Sequence, residues 1–289
     1  MTPRSLLSLV AVLAVIPVIA GCGSDDLSSA DIAQAADKTA SMGGTRVAMN
    51  QTITLPGLPT FSSAASGVFD AKGMRGHMKF DLSNVPGIGD ATPGGLSQDV
   101  VFEGFTVYIR SPVFASSLPD GKRWLKVDLS KVTKAMGVDL EALASSTGQD
   151  PTQGLQYLKA ASDHVKRMGE EDVRGVKTTH YKAIVDIRRY PDTAPARYRA
   201  AIRRSIGPLI KLVGTSKLPM EVWIGKDDVL RRLKQTIPMQ ISTGERATVK
   251  QRVDLYDFGT AVDVDLPADD ETLDITDLAT AEGRRIATK

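Results

Sequence analysis

The stretch Thr45-Arg46-Val47-Ala48-Met49-Asn50-Gln51-Thr52-Ile53-Thr54-Leu55 decides how this chain is read. Val47, Met49, Gln51, Ile53 and Leu55 fall on one face at a period of two, and Arg46, Ala48, Asn50, Thr52 and Thr54 fall on the other, the pattern of a strand with one buried face. Immediately upstream the period is helical. Ser28 or Ser29 can cap a helix in which Ile32, Ala35, Ala36 and Met42 recur, and Gly43-Gly44 stops it. The chain turns from helix to sheet at that glycine pair.

Downstream, strand patterns recur at 66–70 and 74–82, joined by the turn Ala71-Lys72-Gly73, and at 100–102 and 105–109, flanking Glu103-Gly104. Residues 84–95 are rich in Gly and Pro yet carry Val85 and Ile88, and read as a flap at the mouth of a site. After a strand at 124–129 comes a helical middle at 132–136, 140–144 and 151–161, where Pro151 suits a first turn and Leu155 and Leu158 share a face. The sheet resumes at 173–187, with Arg174-Gly175 as a turn or bulge and Thr179, Tyr181, Ala183, Val185 and Ile187 pointing one way. A helix is expected at 195–213, kinked at Gly207-Pro208 and basic on its polar face through Arg197, Arg199, Arg203, Arg204 and Lys211. Strands follow at 220–224, 229–237 and 248–258, the first two joined by Gly225-Lys226-Asp227-Asp228, and the end from Pro267 reads as a loosely docked tail. About ten strands with helices grouped between them make an α+β pattern, and hairpin connections make the sheet antiparallel.

The N-terminus is patterned for export. Arg4 precedes an apolar run at 6–19, shorter than the ~20 residues a spanning helix needs, and Ile19-Ala20-Gly21-Cys22 resembles the lipobox of bacterial lipoproteins. That resemblance implies cleavage of residues 1–21 and a diacylglycerol anchor on Cys22, the only cysteine, with 22–30 as a tether, 31–266 as a single domain and 267–289 as a tail. Removing the leader moves Lys+Arg against Asp+Glu from 36 and 34 to 35 and 34, a formal +1. Near-neutral charge and 5% aromatic content give no reason to expect a nucleic-acid partner.

Chemistry is sparse. His77, His164 and His180 have no spacing that would build a metal site, and with one cysteine a thiolate cluster is excluded, so no metal is expected. Strand alternation puts His180 opposite the face of Tyr181, where a solvated or strand-paired histidine is expected. The acidic pairs Glu170-Glu171 and Asp227-Asp228 fall where turns are expected. No nucleophile, base and orienter assemble and no nucleotide-binding glycine motif occurs, so neither an enzyme nor a cofactor is expected.

Four segments taken in order, Trp124-Leu125-Lys126-Val127-Asp128-Leu129, Asp150-Pro151 opening a helix, Gly169 to Tyr181 and Leu218-Pro219-Met220-Glu221-Val222-Trp223-Ile224, resemble the actinobacterial LppX/LprG-type lipoproteins, relatives of the LolA-like carriers. The resemblance implies a strongly curved antiparallel sheet, an incomplete β-barrel, with helices covering the open face and an apolar cavity between. It also implies a membrane-anchored protein on the extracytoplasmic face that carries lipid or acylated glycolipid, with an envelope transporter or regulator protein as a further partner. The alternative it leaves is a sensor of the envelope that binds a membrane protein through the same fold. Candidate ligand-binding residues are Ile53, Phe69, Phe80, Phe102, Val107, Tyr181, Val185, Ile206 and Ile210, each of which suits a packed core equally well.

Overall fold

The computed structural model describes residues 29–86, 96–147, 162–194, 196–242 and 245–287. The expected leader, Cys22, most of the segment expected to be a flap (87–95) and the helix expected at 151–161 lie outside the described residues. Helix α1 (Ser29–Ser41) leads into strands β1 (Thr45–Thr54), β2 (Phe61–Asp70), β3 (Arg75–Asp81), β4 (Ser97–Glu103) and β5 (Thr106–Arg110). Short helix α2 (Pro112–Ala115), strand β6 (Trp124–Asp128), and helices α3 (Leu129–Ala135) and α4 (Leu140–Thr147) follow. The second half holds β7 (Ser162–Val173), β8 (Val176–Asp186), α5 (Tyr190–Thr193), α6 (Ala196–Val213), β9 (Lys217–Gly225), β10 (Leu230–Ser242), β11 (Glu245–Tyr256), β12 (Thr272–Asp274) and α7 (Thr276–Ala287).

All twelve strands form one sheet in the order β12-β6-β5-β4-β3-β2-β1-β11-β10-β9-β8-β7. Two antiparallel meanders, β1 to β6 and β7 to β11, are therefore fused where β1 pairs with β11, Val47 opposite Leu255 and Ile53 opposite Val249. The strands that end the order, β12 and β7, do not pair with each other, so the curved sheet stays open rather than closing into a barrel. This is the α+β architecture expected from the sequence.

The alternation read in β1 continues across its neighbours. Phe80, Ala65, Met49, Val253, Leu233, Val222 and Tyr181 stand opposite one another from β3 to β8 and are buried in one apolar cluster on the inner face. Helix α1 enters the same cluster through Ile32 and Ala35. Gly67 in β2 permits a close approach: a methyl there would run into the His77 carbonyl of β3.

Twelve strands replace the expected ten, and the two additions have physical reasons. Strand β7 is rich in charge (Asp163, Lys166, Arg167, Glu170, Glu171), shifts register twice and ends the sheet, so it carries the charges and bulges that protect an edge in place of an apolar alternation. Glu170 and Glu171 are thus strand residues, not turn residues. Arg174 (φ 52°) and Gly175 (φ 79°) form the two-residue turn of the β7–β8 hairpin, joining Val173 to its partner Val176.

The segment read as a loose tail is docked. Strand β12 pairs parallel with β6, Thr272 opposite Trp124, and the Thr276 hydroxyl accepts from the Asp128 amide at 3.0 Å. Ala279 of α7 is buried. Three strand residues are too few to show a period.

Candidate functional site

Helix α6 continues through Gly207-Pro208, and its apolar side packs Ile202 and Ile206 with Ala142 of α4 and Ala194. Ser205 fixes its seat: the hydroxyl accepts from the Asp139 amide at 2.9 Å and donates to the Ala201 carbonyl at 3.0 Å. Pro208 rests against Gly137, whose φ of 82° favours glycine, and a methyl at that position would come within 2.9 Å of Pro208 Cγ. The proline thus marks where the helix meets the α3–α4 connection.

The predicted binding residues divide into three groups. Phe80, Val107 and Tyr181 are buried in the inner-face cluster, and Phe69, Phe102 and Val185 are partly buried against it. Phe69 meets Phe102 edge to face, with centroids 5.9 Å apart at 89°. Ile206 and Ile210 belong instead to the α4–α6 cluster. Ile53 is buried in β1 but lies in neither, opposite Val249.

One row beyond the apolar row, the inner face becomes polar. Ser63, Gln51, Gln251, Gln235, Met220, Ala183 and Val165 stand opposite one another from β2 to β7. Gln51 and Gln251 are only 4% and 3% exposed. Gln51 Nε2 donates to Met49 Sδ at 3.0 Å, while Gln51 Oε1 and both amide atoms of Gln251 lack a hydrogen-bond partner among the described residues. The next row, Phe61, Ile53, Val249 and Ile237, is apolar again. The glutamines form a polar seam inside an apolar surface.

The outer face carries a cluster that the sequence did not assemble. His180 stacks on Trp223 at 4.0 Å and is buried, with Nδ1 3.0 Å from Glu171 Oε1 and Nε2 2.8 Å from Glu221 Oε2. Both ring nitrogens are thus engaged, and the two carboxylates sit on opposite sides of the ring rather than converging on a common point. The expected strand-paired histidine is what the structure shows. Trp223 Nε1 donates to Glu171 Oε2 at 2.9 Å, the main reason that the Glu171 carboxyl lies below its ordinary pKa. In the same row Arg232 forms a two-pronged pair with Asp254 at 2.6 and 2.8 Å, and Arg174 and Arg252 each approach Asp254 to 3.6 Å. Burial raises the Asp254 pKa, but the Arg232 hydrogen bonds and the three guanidinium charges outweigh it and hold the net value below the ordinary one.

A recess of about 250 Å³ opens between Asp128, Lys131, Lys134, Asp139 and Glu141, and its charged walls are unsuited to an apolar ligand. Among the described residues, no helix is long and apolar enough to cross a membrane.

The fold and inner face define an open, curved, mostly antiparallel sheet with helices on its apolar side. No protein-family model matches the chain. Over 165 residues, 55% of its length, it is 31% identical to an uncharacterized 31.2 kDa protein from the rplA-rplJ intergenic region of Streptomyces griseus, and it spans about half the length of that relative. Among solved structures it is similar to lipoprotein LppX of Mycobacterium tuberculosis (15% identity, TM-score 0.43, 91% of this chain and 100% of that one). It is also similar to LprF of Mycobacterium bovis (15%, TM-score 0.39, 81% and 94%) and to a LolA superfamily protein of Nitrosomonas europaea (9%, TM-score 0.26, 81% and 92%).

Proposed function

We propose that the chain is a lipid-anchored carrier that holds an acyl lipid against the inner face of its sheet and moves it within the cell envelope. The observation that carries this reading is the apolar row that runs from β3 to β8 on the inner face of an open sheet, buried beneath α1 and bordered by the partly buried Phe69, Phe102 and Val185. An acyl chain laid on such a surface leaves water at a gain of ~25 cal/mol per Å², which needs neither a cofactor nor a covalent step. Phe69, Phe102 and Val185, partly buried at the margin of the cluster, suit contact with a chain better than Phe80 or Val107 within it.

Cys22 supplies the location: thioether-linked diacylglycerol there would keep the carrier at the membrane that holds its cargo. The mechanism is passive, and the cargo is an uncharged chain with or without an acylated sugar. The test is transfer of a palmitoyl phospholipid with a fluorescent label from donor to acceptor phosphatidylcholine vesicles in the presence of the full chain. Transfer several-fold faster than in protein-free controls supports the reading. Transfer at the uncatalysed rate contradicts it.

A further inference from the structure

We propose that the glutamine seam Gln51–Gln251–Gln235 is a polar subsite for an uncharged oxygen group, a hydroxyl beside an ester, placed between the apolar segments of the bound lipid. The proposal rests on the carrier reading and adds to it the chemistry of the cargo. Three glutamines on three adjoining strands occupy one row of the inner face, flanked by apolar rows on both sides. Two of them are more than nine-tenths buried and hold three amide atoms with no partner among the described residues. A buried amide without a partner destabilises the fold, and leucine or methionine at these positions would remove that cost. An occupant that satisfies them recovers it.

The donor and acceptor inventory specifies the occupant. Gln51 Oε1 and Gln251 Oε1 accept, so the ligand must bring a donor; Gln251 Nε2 donates, so it must also bring an acceptor. A hydroxyl with a neighbouring ester carbonyl supplies one donor and one acceptor, which engages two of the three open atoms. The rest of the row, Ser63, Met220, Ala183 and Val165, is uncharged, as are Phe61, Ile53, Val249 and Ile237 beside it. A phosphate or carboxylate at this depth would meet no cation and stay unpaired. The seam therefore admits a glycerol-ester or hydroxyl-bearing linkage and excludes a charged headgroup, which must lie elsewhere.

The experiment compares two probes on the full chain, purified and delipidated: dipalmitoylglycerol, which has a hydroxyl and two esters, and hexadecane, which has neither. The wild type should bind both. Gln51→Leu/Gln251→Leu should weaken dipalmitoylglycerol at least about tenfold, a change of ~1.4 kcal/mol, while hexadecane binds as tightly or more tightly. Gln51→Met/Gln251→Met serves if the leucine variant does not fold. Unchanged dipalmitoylglycerol binding, or equal loss of both probes by a folded variant, overturns the subsite. If the wild type binds neither probe, the carrier reading falls and the subsite with it.

Discussion

Trp223 and Gln51 lie on opposite faces of the same sheet, and each shows what a single residue can disclose. Gln51 interrupts an apolar alternation in plain view, whereas its match with Gln251 and Gln235 depends on the pairing of β1, β11 and β10, which span some 200 positions of chain. Alternation also placed His180 on the correct face. Its neighbours were hidden, because Glu171 comes from a strand that reads as charged connection. At this scale the acid response can be worked out. Glu171 and Asp254 both have pKa values lowered in the fold, so their stabilisation is complete at neutral pH and falls away as pH drops below the ordinary carboxylate range of ~4 through the folded values. Asp254→Asn leaves Arg232 without its buried partner and should cost about 3 kcal/mol at pH 7. It should also flatten the loss of stability between neutral and acid pH. Urea unfolding at pH 7 and pH 3 reads both, and an unchanged pH slope contradicts the assignment.

At the scale of elements, hairpins were the most legible. Turn residues with special conformations, such as Arg174-Gly175 and the Gly225 to Asp228 connection, announce themselves in the sequence. Strand β7 did not, since an edge strand uses charge where a central strand uses apolar alternation. Strand β12 is too short to carry a pattern, and α7 was masked by the acidic run Asp269-Asp270-Glu271 before it. The apolar period of helix α6 is legible in the sequence, but the contact that fixes it is not. Gly137→Ala forces a side chain into a left-handed backbone conformation and against Pro208, and should lower stability by about 1–2 kcal/mol. Thermal melting checks this, and an unchanged midpoint would mean that the α3–α4 connection yields freely.

For the whole molecule, the α+β class follows from local periods, but the open sheet does not. Nothing within either meander dictates that β1 must pair with β11. That union places the Phe80 to Tyr181 row and the glutamine seam side by side on one surface. The residues proposed for binding fall into an inner-face group, an α4–α6 group and Ile53, which lies in neither cluster, rather than lining one wall. Whether that inner face holds a lipid is the claim on which function rests, and native mass spectrometry of the full protein released from its host membrane tests it most directly. The account predicts a non-covalent adduct of one acyl lipid per chain, lost on organic extraction and separate in mass from the covalent diacylglycerol proposed for Cys22. A spectrum showing the chain without any non-covalent lipid would contradict it.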